Sequence, residues 1–321
     1  MTSLLAMVIA FGTGFAMKYG GLCTYAAAVQ IVREHRFERL MAFLGAAAWA
    51  ALIIVPLSWL QPDTMRLSAT HERWSMVLIG GVVLGLGAWL NRGCVFGTFV
   101  QLTGGNLTYV ATLMGMVAGA VGAKHALSEI APLRTEASPL ATPDMGAAAW
   151  LTLAAVIALM HITAYSFRSE ERRRQLLSSS AILVVLMLGV GGGWLFATVD
   201  GWDFATVLMR TAWHTLTLSS KAPSTLAVAC TLSMVAGGVT AAIIRKRFTW
   251  QAPVWSHSIA CLGGGILMGI AAVVLPGGND GLLLSGLPAM APHALLGFVL
   301  MLSSMLCLLT LPNIMNFSGK K

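Results

Sequence analysis

Charge is what this sequence has least of. Charged residues make up 10% of the chain, against roughly 25% in a soluble domain, whose surface must face water. That shortage excludes a set of ordinary soluble domains, a disordered chain and a nucleic-acid-binding module. Cysteine is also sparse: five thiols, an odd number, with no CxxC and no histidine spacing that would suit zinc, which excludes a secreted disulfide scaffold. The chain has no Walker motif, GxSxG elbow or HExxH, so nothing supports ATP hydrolysis or the common hydrolase schemes. The expectation is a non-enzymatic protein with no catalytic residues, no cofactor and no metal.

Apolar residues are plentiful: 57% of the chain is hydrophobic, with 34 Gly and 18 Met, and the mean hydropathy is +0.79. This is the composition of an all-α polytopic membrane protein. A membrane-spanning helix needs about 20 mostly apolar residues. Such runs fall near 40–60, 74–91, 106–123, 146–166, 178–199, 223–244, 256–275 and 289–312. Shorter apolar pieces near 3–17, 23–32 and 206–218 adjoin Gly, Lys or Pro interruptions and read as half-helices. The first of these lacks a basic leader and a cleavage site, so it is expected to be retained.

Basic residues orient the spans. Arg33, Arg36 and Arg39, Arg168 with Arg172, Arg173 and Arg174, Arg245 to Arg247, and Lys320 with Lys321 fall on one side if the spans alternate. The opposite loops hold only Arg66, Arg73, Lys124 and Arg134. Basic residues collect on the cytoplasmic side, so the C-terminus is expected there, in a prokaryotic inner membrane. Trp59, Trp74, Trp150, Trp202 and Trp255, near span ends, read as interfacial anchors. His161, His257 and His293 read as interfacial or cap-neighbouring residues.

Two stretches match at a fixed offset. Gly81, Gly85, Gly93 and Gly97 correspond to Gly265, Gly269, Gly277 and Gly281. By the charge pattern the helix before the first glycine-rich break runs inward and its counterpart runs outward. The reading is two inverted-topology repeats, 1–145 and 146–321, joined by the basic linker near 168–174, with broken or re-entrant half-helices meeting at a central pathway. Gly81, Gly85, Gly265 and Gly269 suit close helix packing. The clusters RGCVFG and PGGNDG need a different reason. Backbone that leaves the helix at membrane depth is tolerated only where it is buried in protein or lines a cavity.

Four basic residues are left over, and each adjoins a break: Lys18, Arg92, Arg210 and Lys221. A charge near the bilayer centre costs about 2.5–3.5 kcal/mol even on the lenient insertion scale. Together with half-helix N-termini they would favour a small anion. Asp280 is the one acid similarly placed, and a cation partner would lower its cost. Cys230, Cys261 and Cys307 lie inside long apolar helices and read as core. Cys23 and Cys94 each follow a cation and a Gly at a break, where a thiol could meet a sulfur-containing or otherwise soft anion.

The segment NRGCVFGTFVQLTGGNLTYVATLMGMVAG, with GGLCTYAAA before it, resembles the YeeE/YedE family of prokaryotic sulfur-transport membrane proteins. The resemblance implies uptake of thiosulfate or a related compound through a narrow path with cysteines at its constrictions, in some relatives beside a small cytoplasmic sulfur-carrier protein. It carries over Cys23 and Cys94 as pathway cysteines and Gly93, Gly97, Gly104 and Asn106 as loop-shaping positions. The second half departs from the pattern: where a third cysteine would stand the chain reads PGGNDG, with Gly278 opposite Cys94, so one step is missing or replaced by Asn279, Asp280 or Ser285, with Gly277 and Gly278 as further pathway candidates. A passive anion channel and a membrane component of a sulfur relay, with thiols accepting sulfur covalently, remain alternatives to a permease.

Overall fold

The computed structural model describes residues 2–71, 73–127, 135–142, 179–217, 222–275 and 277–311. The expected span at 146–166, the basic linker, Trp150, His161, Lys221 and the C-terminal lysines lie outside the described residues. The first part of the chain contains α1 (Thr2–Gly20), α2 (Thr24–Glu34), α3 (Glu38–Leu60), α4 (Trp74–Asn91), α5 (Val95–Leu102) and α6 (Val110–Ala126). The later part contains α7 (Ser179–Leu186), continued through a π-helical turn into α8 (Gly193–Thr198). It goes on with α9 (Phe204–Thr217), α10 (Thr225–Ile244), α11 (Trp255–Val274), α12 (Gly278–Gly281, with a π-helical extension to Gly286) and α13 (Pro292–Thr310). Two residues each of β1 (Thr70–His71) and β2 (Thr135–Glu136) pair antiparallel in a loop ribbon.

Among the described residues, seven helical segments are long and apolar enough to cross a membrane. The protein is thus a multi-pass α-helical membrane protein. Apolar residues lie on both sides: Leu4, Val8, Ile79, Met114, Leu232, Ile259 and Leu295 face outward, while many alanines are buried together with Phe43, Phe99, Met116 and Leu188. In lipid, outward-facing Leu and Ile lose nothing, and close backbone approach supplies the packing.

Helix α4 packs on α11 and α13, and α11 packs on α6. The glycines expected to pack do so: a side chain at Gly81 or Gly85 would strike the backbone of α13, and one at Gly265 or Gly269 that of α6. Helix α1 lies along α10, and α3 along the π-helical turn between α7 and α8. Helices α2 and α13 touch, as do α9 and α6, and the short α5 meets the short α12.

Several expectations change here. The first apolar piece is a 19-residue helix, not a half-helix. Lys18 lies in its last turn, where its amine reaches a backbone carbonyl, so the charge does not end the helix early. Trp202 is not an interfacial anchor: it is fully buried, whereas Trp74 and Trp255 are exposed. Cys307 is exposed and is not core, because Met301, Met305 and Leu309 take the inward stripe of α13 and Cys307 falls between them. Cys230 and Cys261 are buried as expected. His293 is the second residue of α13, a cap neighbour as expected, and it is buried edge-on to His71 with ring centroids 4.7 Å apart.

Candidate functional site at the helix breaks

Short helices begin at the breaks, and their N-termini gather in the interior. Helix α1 ends at Gly20, and Gly21 turns through a left-handed φ of 59°. Cys23 follows as the extended residue ahead of α2. Helix α4 ends at Asn91, Arg92 adopts a left-handed φ of 56°, and Cys94 is the extended residue ahead of α5. Both cysteines therefore stand at the N-cap, where backbone N–H groups are unsatisfied and the helix dipole is positive. Neither side chain caps its own helix.

The tertiary fold brings these two positions together. The Cys23 and Cys94 sulfurs lie 3.8 Å apart, both buried. The Thr24 N–H donates to the Cys94 sulfur at 3.2 Å, and the Thr24 hydroxyl donates to Asn279 Oδ1 at 3.3 Å. Thus three breaks meet in one chain of contacts: Cys23–Thr24, Cys94 and Asn279. A side chain at Gly97 would come 2.5 Å from the Cys23 sulfur, so this position has to lack one for the thiols to face each other.

The Cys94 break is held by Asn91, a residue that the sequence reading passed over. Its amide donates to Gly93 O at 2.6 Å and to Thr98 Oγ1 at 3.0 Å, and its oxygen accepts from Thr112 Oγ1 at 2.6 Å. All of these are buried. The Asn preceding Arg-Gly-Cys was the available signal, since a buried amide at membrane depth needs several partners.

The breaks of the later part are built with different side chains. Asp203 precedes α9 and accepts from the Thr206 N–H at 2.8 Å. Gly277, with a φ of 98°, precedes α12, and Gly278 follows at 52°. Asn279 and Asp280 lie in the first turn of α12, both buried. Asp280 and Asp203 border one small interior space. The sequence led to a cation beside Asp280; the other charged residue that borders this space is an acid, Asp203. Asp203 is buried, three residues after the exposed Asp200. Its position, one residue before a short apolar helix, matches that of Cys23 and could have marked it.

The leftover cations are dispersed. Lys18 Nζ donates to Val100 O at 2.6 Å, near the C-terminal end of α5, and lies against Gly104. That end of α5 is tied down further: Thr249 N–H donates to Gly104 O at 3.0 Å and Leu107 N–H to Gln251 O at 3.1 Å, while Asn106 accepts from Thr108 N–H at 3.1 Å. Gly104 and Asn106 thus shape the loop at the end of α5 opposite the thiols. Arg92 is exposed, and its charge reaches Tyr25, Tyr109 and His257. Arg210 pairs with Asp200 through contacts of 2.7 and 3.1 Å. The guanidinium holds the Asp200 carboxyl below the usual carboxylate range.

Arg210, Asp200, Lys124, Asp203, Gly277 and Ser285 border an open cavity of about 430 Å³. A narrower space continues past Gly278 and Asp280 to Val95, the residue after Cys94. The arrangement is a polar vestibule that leads towards a buried pair of thiols.

Apolar helices around buried breaks, with a vestibule beside them, define a multi-pass membrane transport protein. The chain belongs to the sulphur transport family, YeeE/YedE, whose model matches residues 19–306. The family and the spanning helices together make it a sulfur transporter. A search of curated proteins found no match.

Proposed function

We propose that the protein is an inner-membrane permease of a prokaryotic cell, and that its substrate is a small sulfur-containing anion, thiosulfate first among the candidates. The observation that carries this reading is the thiol pair: two cysteines 3.8 Å apart at two converging helix N-termini. A helix N-terminus favours negative charge, and a thiol is a weak donor with a polarisable sulfur. Soft anion and soft lining match.

The anion enters the vestibule beside Lys124 and Arg210 and passes Gly277, Gly278, Asn279 and Asp280. It then crosses between Cys94 and Cys23 by hydrogen bonding without a lasting covalent bond. It leaves towards Arg92 and the basic, cytoplasmic face that also holds the C-terminus. Lys18, Gly93, Gly97 and Asn106 shape the route rather than bind.

Two halves of inverted topology fit this path. The contacts come in exchanged pairs, α4 with α13 against α11 with α6, α1 with α10 against α3 with the turn after α7, and α2 with α13 against α9 with α6. A two-fold axis in the membrane plane would produce such an exchange.

The experiment is isotope uptake, or growth on thiosulfate as sole sulfur source, in a transport-deficient bacterium expressing the wild type or Cys94→Ala. Uptake by the wild type and its loss in the variant are expected. No uptake by wild-type protein present in the membrane would reject thiosulfate. Undiminished uptake in the variant would favour a passive channel, and a persulfide found on Cys94 would favour a covalent relay.

A further inference from the structure

The later pair of breaks carries chemistry that the thiol path does not use. Asp203 and Asp280 are 5% and 6% exposed, and both border one small space in the interior. Two carboxylates bordering one small space in a nonpolar interior would repel strongly, and a proton shared between them would remove that cost.

The pair also sits where water and anion meet. Asp203 borders the 430 Å³ vestibule, and Asp280 borders its narrow continuation. A small enclosed space is bordered by both acids together with Trp202. Trp202 is 1% exposed, and its indole N–H has no hydrogen-bond partner among the described residues. The Asn279 amide nitrogen, next to Asp280 and equally buried, lacks one too. Buried donors are almost always satisfied. Two orphaned donors beside a buried acid pair point to a hydrogen-bond acceptor that visits this place.

We propose that Asp203 and Asp280 form a proton-binding site that couples entry of the anion to entry of protons. This rests on the reading above that a sulfur-containing anion is the substrate. An inside-negative membrane potential opposes an entering anion, and a proton travelling with it removes part of that opposition. Only an O–H bond is made and broken. The pair takes its proton from water in the vestibule and gives it to water on the thiol side as the anion leaves.

The ionisable groups around the pair are disposed for this. Lys124 of α6 and Arg210, neutralised by Asp200, line the vestibule with Asp203. Cys94 and Cys23 lie on the other side, next to Val95 and Thr24. Cys230 of α10 is buried. Ionisable groups on the remaining neighbours have other partners: His293 of α13 faces His71, Cys261 and His257 of α11 face each other, and Lys18 of α1 reaches Val100.

Two measurements test it. Infrared difference spectra of purified protein between acid and alkaline buffer should contain a protonated-carboxyl stretch that the Asp203→Asn/Asp280→Asn double variant lacks. If that variant does not fold, Asp203→Glu alone should shift the band. In proteoliposomes with a trapped pH dye, thiosulfate added outside the wild type should acidify the lumen, and an inward proton gradient should raise uptake several-fold. Whatever anion flux remains in Asp203→Asn should carry no protons, and Asp203→Glu should restore part of the coupling. Anion uptake at constant lumen pH, or uptake that follows a sodium gradient and ignores the proton gradient, would overturn the proposal. If the wild type takes up no thiosulfate, the substrate reading falls, and the carboxyl band still decides the pair: its loss on substitution upholds a proton site and its persistence overturns one.

Discussion

The first two breaks and the last two share one construction but differ in their side chains. At α2 and α5 the chain leaves a helix through a left-handed residue, Gly21 or Arg92, and sets a cysteine at the next N-terminus. At α9 and α12 the corresponding places carry Asp203 and, through Gly277 and Gly278, Asp280. One pair of converging helix ends thus offers two thiols, and the other offers two carboxyls. The backbone device makes a buried point where N–H groups face inward; the side chain at that point decides what it handles. A scaffold with repeated breaks can divide its labour, with anion contact at one pair and charge balance at the other.

The largest effect should come from removing the thiol side of this comparison. Losing a hydrogen bond to a charged group costs about 1.5–3 kcal/mol, so Cys94→Ala should lower thiosulfate uptake by roughly 10- to 100-fold at equal expression. Cys94→Ser, which keeps a donor, should lie between. Equal rates for Ala and wild type would remove the functional difference between the two pairs of breaks.

Next comes the support that only the thiol side has. Asn91 satisfies Gly93, Thr98 and Thr112 at once. Each buried partner left unsatisfied costs about 1–3 kcal/mol. Asn91→Ala should therefore lower the thermal stability of the detergent-solubilised protein clearly and loosen the Cys94 break. A melting temperature within error of wild type would show that the break is held by something else.

Gly97→Ala is a steric test. The added methyl would stand 2.5 Å from the Cys23 sulfur, and overpacking of this kind costs about 1–3 kcal/mol. The thiols should separate, uptake should fall, and the rate at which an oxidant cross-links Cys23 to Cys94 should fall with it. Unchanged cross-linking would mean that Cys23 can move aside.

The smallest effect belongs to the vestibule. Hydrogen bonding from Arg210 lowers the Asp200 carboxyl pKa. A depressed carboxyl stabilises the fold above its unfolded value of about 3.9, and that contribution is lost as pH falls through the lower folded value. The Asp200 side chain is 82% exposed, and exposed pairs contribute at most about 1 kcal/mol. Asp200→Asn should cost a fraction of that at pH 7 and nothing once the pH is below both values. Melting curves across that range check the sign. A gap between variant and wild type that widens in acid would assign the ion pair a different role.

Much of the fold was legible because a bilayer imposes a simple requirement. Runs near 40–60, 74–91, 223–244 and 256–275 became α3, α4, α10 and α11 nearly to the residue, since an apolar stretch of spanning length has few alternatives. The breaks were legible from glycine and charge, and Cys23 and Cys94 from standing at them. Trp202 was misplaced for a related reason: a tryptophan in a short polar stretch between apolar pieces reads as an interfacial anchor whether that stretch surfaces or folds back inside. Asn91 was missed because a single amide in an apolar run gives no sign of its partners, which come from residues 93, 98 and 112.

By itself, then, the sequence determined that this chain lives in a membrane, where its helices run and where they break, because those follow from local hydropathy and from the conformational freedom of a few residues. The tertiary structure alone decided which breaks meet. Cys23 faces Cys94 across 71 positions, and Thr24 reaches Asn279 across 255. Contacts at that range depend on how helices pack, and in lipid that packing is set by the fit of small residues against backbone, information spread over many glycines rather than written in any one motif.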